Sequence, residues 1–331
     1  MCRRTLARLN CEKETRMTQA NLKGYRLGWV GTGRMGYAMA LRLLKSGCDV
    51  AVYNRTRAKA EPLTEFGATI VDSPADLAHR DIVFTMVSGP DDLIEVTTGS
   101  KGILSRSNHV PKILVDCSSV STEASAAVRE QAAARGVAML AAPVSGNAKV
   151  VKAGLLSVVA SGPAAQFKIA ERYLALLGRG VSYVGEGELA RMVKICHNIL
   201  LGVVTQSLAE ITVLAEKGGV PRHAFLDFIN KSVMGSLFTK YKSPAFVNLD
   251  WTPTFTPYLL RKDLDLGLEA GRNLGVPQPL TALTRELVQG MIGNGYAESD
   301  FGALLELEAK AAGLELKSEN LEIDDGLSGK S

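Results

Sequence analysis

The sequence lacks metal-ligand cysteine spacing, a basic body, a long apolar run and an internal repeat, and each absence closes off a class of protein. Its five cysteines, Cys2, Cys11, Cys48, Cys117 and Cys196, are scattered and odd in number. That pattern gives neither a zinc site nor a disulfide framework, and it fits reduced thiols in a cytoplasmic protein without a bound metal. Cys196 is expected to be buried in packing. The formal net charge of +4 is misleading, because residues 1–24 carry all of it: Arg3, Arg4, Arg8, Lys13, Arg16 and Lys23 against Glu12 and Glu14. The remaining chain is neutral and offers no basic surface for nucleic acid. No apolar run approaches the roughly 18 residues needed to cross a membrane. No solenoid-length repeat occurs. What is there is a chain of 331 residues, 46% hydrophobic, long enough for two domains with sizeable cores.

The two ends read as disordered. Residues 1–24 are Arg-rich but poor in serine and contain two glutamates, which suits an extension, with Met17 an alternative start, better than a transit peptide. Residues 314–331 form a polar, acidic tail.

Near the start of the body, an apolar strand runs into Gly31-Thr32-Gly33-Arg34-Met35-Gly36, an amphipathic helical run follows, and Val50–Tyr53 reads as a second strand. Gly-x-Gly-x-x-Gly in that setting is a dinucleotide fingerprint: Gly31 for the tight turn, Gly33 for close approach to a pyrophosphate, Gly36 for helix–strand packing. The helix N-terminus adds unpaired N–H groups and a partial positive charge. An NAD site usually ends the second strand with Asp or Glu for the ribose hydroxyls. Here the residues are Asn54, Arg55 and Thr56. A carboxylate would repel a 2′-phosphate and an arginine fork would bind it, so NADP is the expected cofactor, with a solvated loop arginine as the alternative.

Strand candidates then alternate with helical runs: 68–71, 82–86, 113–115, 138–141, 157–160 and 181–184, with helices over 122–134 and 164–177. The pattern predicts a doubly wound, mostly parallel sheet over residues 25–186. From Glu188 to Lys217 one uninterrupted helical pattern runs for about 30 residues, or about 45 Å. Gly218-Gly219 ends it before Pro221. No strand alternation returns, so residues 187–313 are expected to be all-helical, with the long helix an interdomain spine and part of a subunit interface.

On that helix Lys194 and Asn198 stand at i and i+4, on one face, in an apolar stretch. Apolar surroundings lower a lysine's preference for its charged form and suit it to proton transfer at a carbonyl oxygen, with Asn198 bonding the same oxygen or fixing the lysine. Helix physics alone equally admits a snorkelling surface lysine. His197 lies on another face and reads as structural. Asp116-Cys117-Ser118-Ser119 follows a strand, where open sheets bind ligands, and Ser145-Gly146-Asn147 follows the next. Small residues with free N–H groups suit a carboxylate, although either segment would also serve as an ordinary loop.

Taken together, these segments resemble the β-hydroxyacid dehydrogenases, a family that includes 3-hydroxyisobutyrate dehydrogenase and the glyoxylate/succinic semialdehyde reductases. The likeness covers about residues 25–312: the glycine loop, Asp116–Ser119, Ala142-Pro143-Val144-Ser145-Gly146, Lys194-x-x-x-Asn198, and Phe255 seven residues before Lys262-Asp263-Leu264. It implies a Rossmann-type domain followed by a helical one. It implies further that Met86, Val87 and Ser119 lie along the nicotinamide and that Lys262 contacts the cofactor. By the same likeness Ser145 and Gly146 hold a substrate carboxylate, Phe255 lines the closed site, Lys194 is general acid/base and Asn198 its partner. Asn54-Arg55-Thr56 resembles the NADP-using branch.

Two positions depart from the family pattern. Asn147 stands where Gly or Ser is usual, and Ala141 precedes Ala142-Pro143 in place of an acid or glycine. Asn147 is expected to add a hydrogen bond to the substrate, or else to cap the following turn. The expected protein is an NADP-dependent oxidoreductase acting on a small carboxylate-bearing hydroxyacid or semialdehyde, as a homodimer or homotetramer. An imine reductase and a non-catalytic NADP-binding oligomeric module are the alternatives, and Lys194 argues against both.

Overall fold

Short apolar strands buried on both faces build the first half of the molecule, which is seen in a computed structural model describing residues 24–327. The expected N-terminal extension, apart from Gly24, lies outside the described residues. The elements of this half are β1 (Leu27–Val30), α1 (Arg34–Lys45), β2 (Val50–Tyr53), β3 (Thr69–Ile70), β4 (Ile82–Thr85), α2 (Pro90–Thr98), β5 (Ile113–Asp116), α3 (Thr122–Ala134) and β6 (Ala138–Ala141). The sheet order is β3-β2-β1-β4-β5-β6, and every neighbouring pair is parallel. This is the doubly wound dinucleotide-fold order, and it reverses direction between β1 and β4, where such sheets bind ligands.

The pleat sorts the strand residues to two cores. Leu27, Trp29, Ile82, Phe84, Ile113 and Val115 pack on one face with Met39 and Leu43 of α1. Val30, Val83 and Leu114 pack on the other with Leu93 and Val128. Helix α3 begins where Ser121 accepts the Ala124 N–H, a side-chain cap that the sequence signals directly.

Beyond β6 the chain adds β7 (Val144–Ser145), α4 (Ala148–Lys152), β8 (Leu156–Ala160), α5 (Ala164–Ala175) and β9 (Gly178–Tyr183). Here the structure differs from the single sheet expected. Strands β7, β8 and β9 form a separate three-stranded sheet, with β7 antiparallel to β8 and β9 parallel to it.

Then comes α6 (Leu189–Lys217), 29 residues long. The chain divides into two compact units within it, one ending at Lys194 and the other starting at Ile195, rather than at Gly187. The second unit continues with α7 (Arg222–Lys231), α8 (Leu237–Asn248), α9 (Pro257–Leu274), α10 (Pro279–Gly293) and α11 (Leu304–Ala311), and its described residues hold no strand. Its core is formed by Leu208, Val213, Phe246, Leu260, Leu264, Val288 and Leu304. Glycines let α6 and α9 approach closely: a Cβ on Gly267 would lie 2.4 Å from Ile199, and one on Gly202 would lie 3.2 Å from Leu260 and Leu264.

Two expectations need correction in this unit. Helix α6 contains an 18-residue window of mean hydropathy 1.5, long and apolar enough to cross a membrane by length and composition. The absence of such a run therefore does not hold, although Leu208, Ala209 and Val213 commit part of that apolarity to the core. The tail is the second. Residues 314–327 form no helix or strand, yet they are pinned in place. Glu319 accepts the Arg222 and His223 N–H groups at 2.8 and 3.1 Å, capping α7, whose N-cap residue Pro221 has no side-chain acceptor of its own. The fully buried Arg222 guanidinium also bonds the Lys317 carbonyl. A carboxylate at a helix N-terminus is favoured by the dipole, and this one comes from far along the chain.

Candidate active site

In the first unit the predicted cofactor residues sit at the carboxyl ends of β1, β2, β4 and β5. Gly31, at φ +95°, leaves no room for a side chain, since a Cβ there would lie 2.2 Å from the Met86 carbonyl oxygen. A Cβ on Gly36 would lie 2.0 Å from the Gly31 carbonyl oxygen. These contacts bring the loop against Met86 and Val87 and the start of α1 against the loop. Gly33 is different: a Cβ there would meet nothing within 4 Å, so its face of the loop is open to a ligand. Thr32 is buried and its Oγ1 has no hydrogen-bond partner. An open glycine face, an unsatisfied buried hydroxyl and the N-terminal turn of α1 fit a dinucleotide's phosphates.

Asn54 has a part that the sequence did not reveal. Its Oδ1 accepts the Thr32 N–H at 2.8 Å and its Nδ2 donates to the Thr56 carbonyl at 2.8 Å, tying the end of β2 to the glycine loop. Arg55 is exposed beside Thr56 and reaches Asp92 in the first turn of α2 over 3.1 Å. Such a solvated pair holds little energy and leaves the guanidinium available to a stronger anion.

Beneath Val87 and Ser119 lies a buried network that sequence reasoning missed. Asp116, fully buried, accepts from Thr85 Oγ1 at 2.6 Å and from Ser118 Oγ at 2.7 Å, and Ser118 Oγ in turn accepts the Val87 N–H at 2.9 Å. Arg191, on the first turn of α6, closes the network by donating to Asp116 Oδ2 and to the Ser118 carbonyl. Ser161 Oγ accepts the Ala190 N–H at 3.0 Å and fixes the same turn. Lys194 follows one turn later, half-buried. The signal was present in the spacing, since Arg191, Lys194 and Asn198 fall at i, i+3 and i+7, on one helical face. Burial, with the Asp116 charge alongside, pushes the Cys117 thiol far up, which makes it an inert packing group. Cys196 is exposed, contrary to expectation, because its position faces away from the helix's packed stripe.

Ser145 pairs with Ser157 across β7 and β8, and Gly146 at φ +136° turns the chain into α4, which packs on α1. A Cβ on Gly146 would lie 2.8 Å from Val150. Asn147 is the N-cap of α4: its Oδ1 accepts the Val150 N–H at 3.1 Å. The capping alternative is therefore what the acceptor does, and Nδ2 is the group left for another partner.

In the second unit Asn198 is buried and gripped on both sides. Its Nδ2 donates to Asp263 Oδ2 at 2.6 Å, and its Oδ1 lies 2.9 Å from His197 Nδ1. The carboxylate fixes which end of the amide is nitrogen, so His197 donates through Nδ1. Lys262 sits 3.2 Å from Asp263 Oδ1. Asp263 thus holds Asn198 and Lys262 together, a link that the sequence did not reveal. Phe255 packs edge-on against Phe301, ring centroids 5.7 Å apart, and its carbonyl accepts the Phe301 N–H. No cluster of three or more metal-ligating side chains occurs among the described residues.

Two family profiles together span most of the chain. Residues 26–185 match the NAD binding domain of 6-phosphogluconate dehydrogenase, and residues 188–307 match the NAD-binding domain of NADP-dependent 3-hydroxyisobutyrate dehydrogenase. Among curated relatives, glyoxylate/succinic semialdehyde reductase 2 of Arabidopsis thaliana is 29% identical, over 89% of this chain and 82% of that protein. The 2-(hydroxymethyl)glutarate dehydrogenase of Eubacterium barkeri is 31% identical, over 88% of this chain and 97% of that one. The crystal structure of 3-hydroxyisobutyrate dehydrogenase from Salmonella typhimurium shares the fold with a TM-score of 0.76 at 23% identity, over 86% of this chain and 99% of its own. The chain belongs to the β-hydroxyacid dehydrogenase family and is an NAD(P)-binding oxidoreductase of the 3-hydroxyisobutyrate dehydrogenase type.

Proposed function

We propose that this protein is an NADP-dependent reductase of small aldehydes or oxo acids that carry a carboxylate, running also in reverse as a hydroxyacid dehydrogenase. The observation that carries the reading is Lys194 on an unbroken α6, one turn after the Arg191 anchor and one turn before an Asn198 locked by Asp263. A bound nicotinamide supplies or removes the hydride at the substrate's carbonyl carbon. As the carbonyl π electrons move to oxygen, the Lys194 ammonium gives that oxygen its proton and becomes an amine. In the oxidative direction the amine takes the proton back. Asn198, whose amide cannot rotate, steadies the same oxygen or the lysine.

Ser145 and Gly146 take the substrate carboxylate, Asn147 offers its Nδ2, and Phe255 walls the reacting group from water. Met86, Val87 and Ser119 line the nicotinamide side, and Lys262 contacts the cofactor. Arg55 is the basis for preferring NADP, because no carboxylate occupies Tyr53, Asn54 or Arg55 and its partner Asp92 holds it only through a solvated contact. Exposed Leu200 and Leu214 on α6 support a homodimer or homotetramer, and the reduced-thiol pattern supports a cytoplasmic setting.

The proposed substrate class and its imine alternative define the test. NADPH and NADH oxidation is followed against glyoxylate, succinic semialdehyde, tartronate semialdehyde, methylmalonate semialdehyde and a cyclic imine. Turnover of at least one carboxylate-bearing aldehyde with NADPH is the expected result. Turnover of the imine alone would replace the reading with imine reduction.

A further inference from the structure

The peptide that joins Gly31 to Thr32 is held at both ends by side chains outside the glycine motif. Its carbonyl oxygen accepts the indole N–H of Trp29 at 2.8 Å. Its N–H, that of Thr32, donates to Asn54 Oδ1 at 2.8 Å. Trp29 is itself fully buried and stacked on Phe84, centroids 5.6 Å apart and planes 18° apart, so the indole cannot swing away. Gly36 leaves room for the arrangement, since a Cβ there would lie 3.2 Å from Trp29 Nε1 as well as against the Gly31 oxygen.

A glycine at φ +95° has little intrinsic preference between the two orientations of its following peptide. In the observed one the carbonyl points into the base of α1. In the flipped one it would point where the N–H now points, setting its lone pairs against Asn54 Oδ1 and leaving the indole N–H without its acceptor. We infer that Trp29 and Asn54 are positioning residues for cofactor binding: together they clamp the Gly31–Thr32 peptide in one orientation and so hold the loop on the path that leads to the pyrophosphate site at the head of α1. Asn54 therefore acts through the loop and not on the ribose. The inference rests on the assignment of residues 31–36 to the cofactor's phosphates, and not on the preference for NADP.

Trp29→Phe keeps the ring stack and removes only the N–H, and Asn54→Ala removes the acceptor. Dissociation constants for NADPH, NADH and ADP-ribose are measured by titration, with melting temperature and hydrogen exchange at the Thr32 amide recorded on the same proteins. Loss of one neutral hydrogen bond to the loop predicts that each variant weakens all three ligands by the same factor, roughly three- to tenfold, with kcat at saturating cofactor near wild type. Thr32 amide protection should fall in Asn54→Ala. Unchanged dissociation constants beside a lowered melting temperature would make the contacts merely structural and overturn the inference. A loss confined to NADPH would overturn it too, by placing Asn54 on the 2′-phosphate side. Arg55→Ala serves as the independent control: if it leaves the NADPH-to-NADH ratio unchanged, the NADP preference fails while an equal loss in the clamp variants still stands.

Discussion

Asn198 Nδ2 donates to Asp263 Oδ2 over 2.6 Å, with both side chains buried. The bond joins helices α6 and α9 through the amide that stands one turn beyond Lys194. A charge-assisted bond in that setting is worth about 1.5–3 kcal/mol. Asp263→Asn keeps the volume and removes the charge, and it should lower kcat roughly tenfold or more while the protein stays folded. Steady-state kinetics with a melting curve checks this; an unchanged kcat would reduce Asp263 to a packing role.

Arg55 should decide between cofactors. Arg55→Ala gives up one or two charge-assisted contacts to a 2′-phosphate, or about 1.5–3 kcal/mol, and should raise the KM for NADPH tenfold or more with that for NADH nearly unchanged. A wild-type protein that uses NADH as efficiently as NADPH contradicts this.

Asn147 separates into two atoms with two tasks. Asn147→Ala removes the α4 cap and should cost about 1 kcal/mol of stability. Asn147→Asp keeps an acceptor for the Val150 N–H but replaces the amide donor with a negative charge. Stability should then be retained while KM rises for every carboxylate substrate. If the Asp variant behaves as wild type toward the whole substrate panel, Nδ2 takes no part in binding.

Asp300 links stability to pH. Burial alone would push its carboxyl up, but Lys242 at 2.5 Å, with Thr254 Oγ1 at 2.6 Å and the Gly302 N–H at 2.9 Å, holds it below the usual carboxylate range. A depressed native value means that this stability is present above the unfolded value of about 4 and is lost as pH falls through the native one. Asp300→Asn should destabilise the protein at neutrality by about 3–5 kcal/mol, because it strands the buried Lys242 charge, and should flatten the acid limb. Melting curves from acid to neutral pH test it, and parallel acid limbs in the two proteins would count against the linkage.

Much of the fold was legible because its signals are local. Four-residue strands buried on both faces read as apolar runs, the glycine spacing marks the first turn, and Ser121 announces the start of α3. What escaped depends on partners distant in sequence. Glu319 orders the tail through Arg222 and His223, and nothing near residue 319 reveals it. Val144–Ser145 is too short to show strand alternation, so the second sheet stayed hidden. Within the site, residue types were readable but their bonds were not. Asn54 and Asn147 each carry a donor and an acceptor, and only the fold shows that both acceptors are engaged by backbone N–H groups.

Lys194 is proposed to move the proton as hydride is transferred. The most direct measurement is single-turnover NADPH oxidation with the best carboxylate-bearing aldehyde, on wild type, Lys194→Ala and Lys194→Arg, each shown by titration to bind NADPH. Loss of general acid catalysis predicts a rate lower by about 10² to 10⁴ in the Ala variant. The Arg variant should fail as well, because a guanidinium does not release its proton near neutrality. Cofactor affinity should stay close to wild type in both. An Arg variant that turns over at the wild-type rate would contradict the account and remove Lys194 from the proton path.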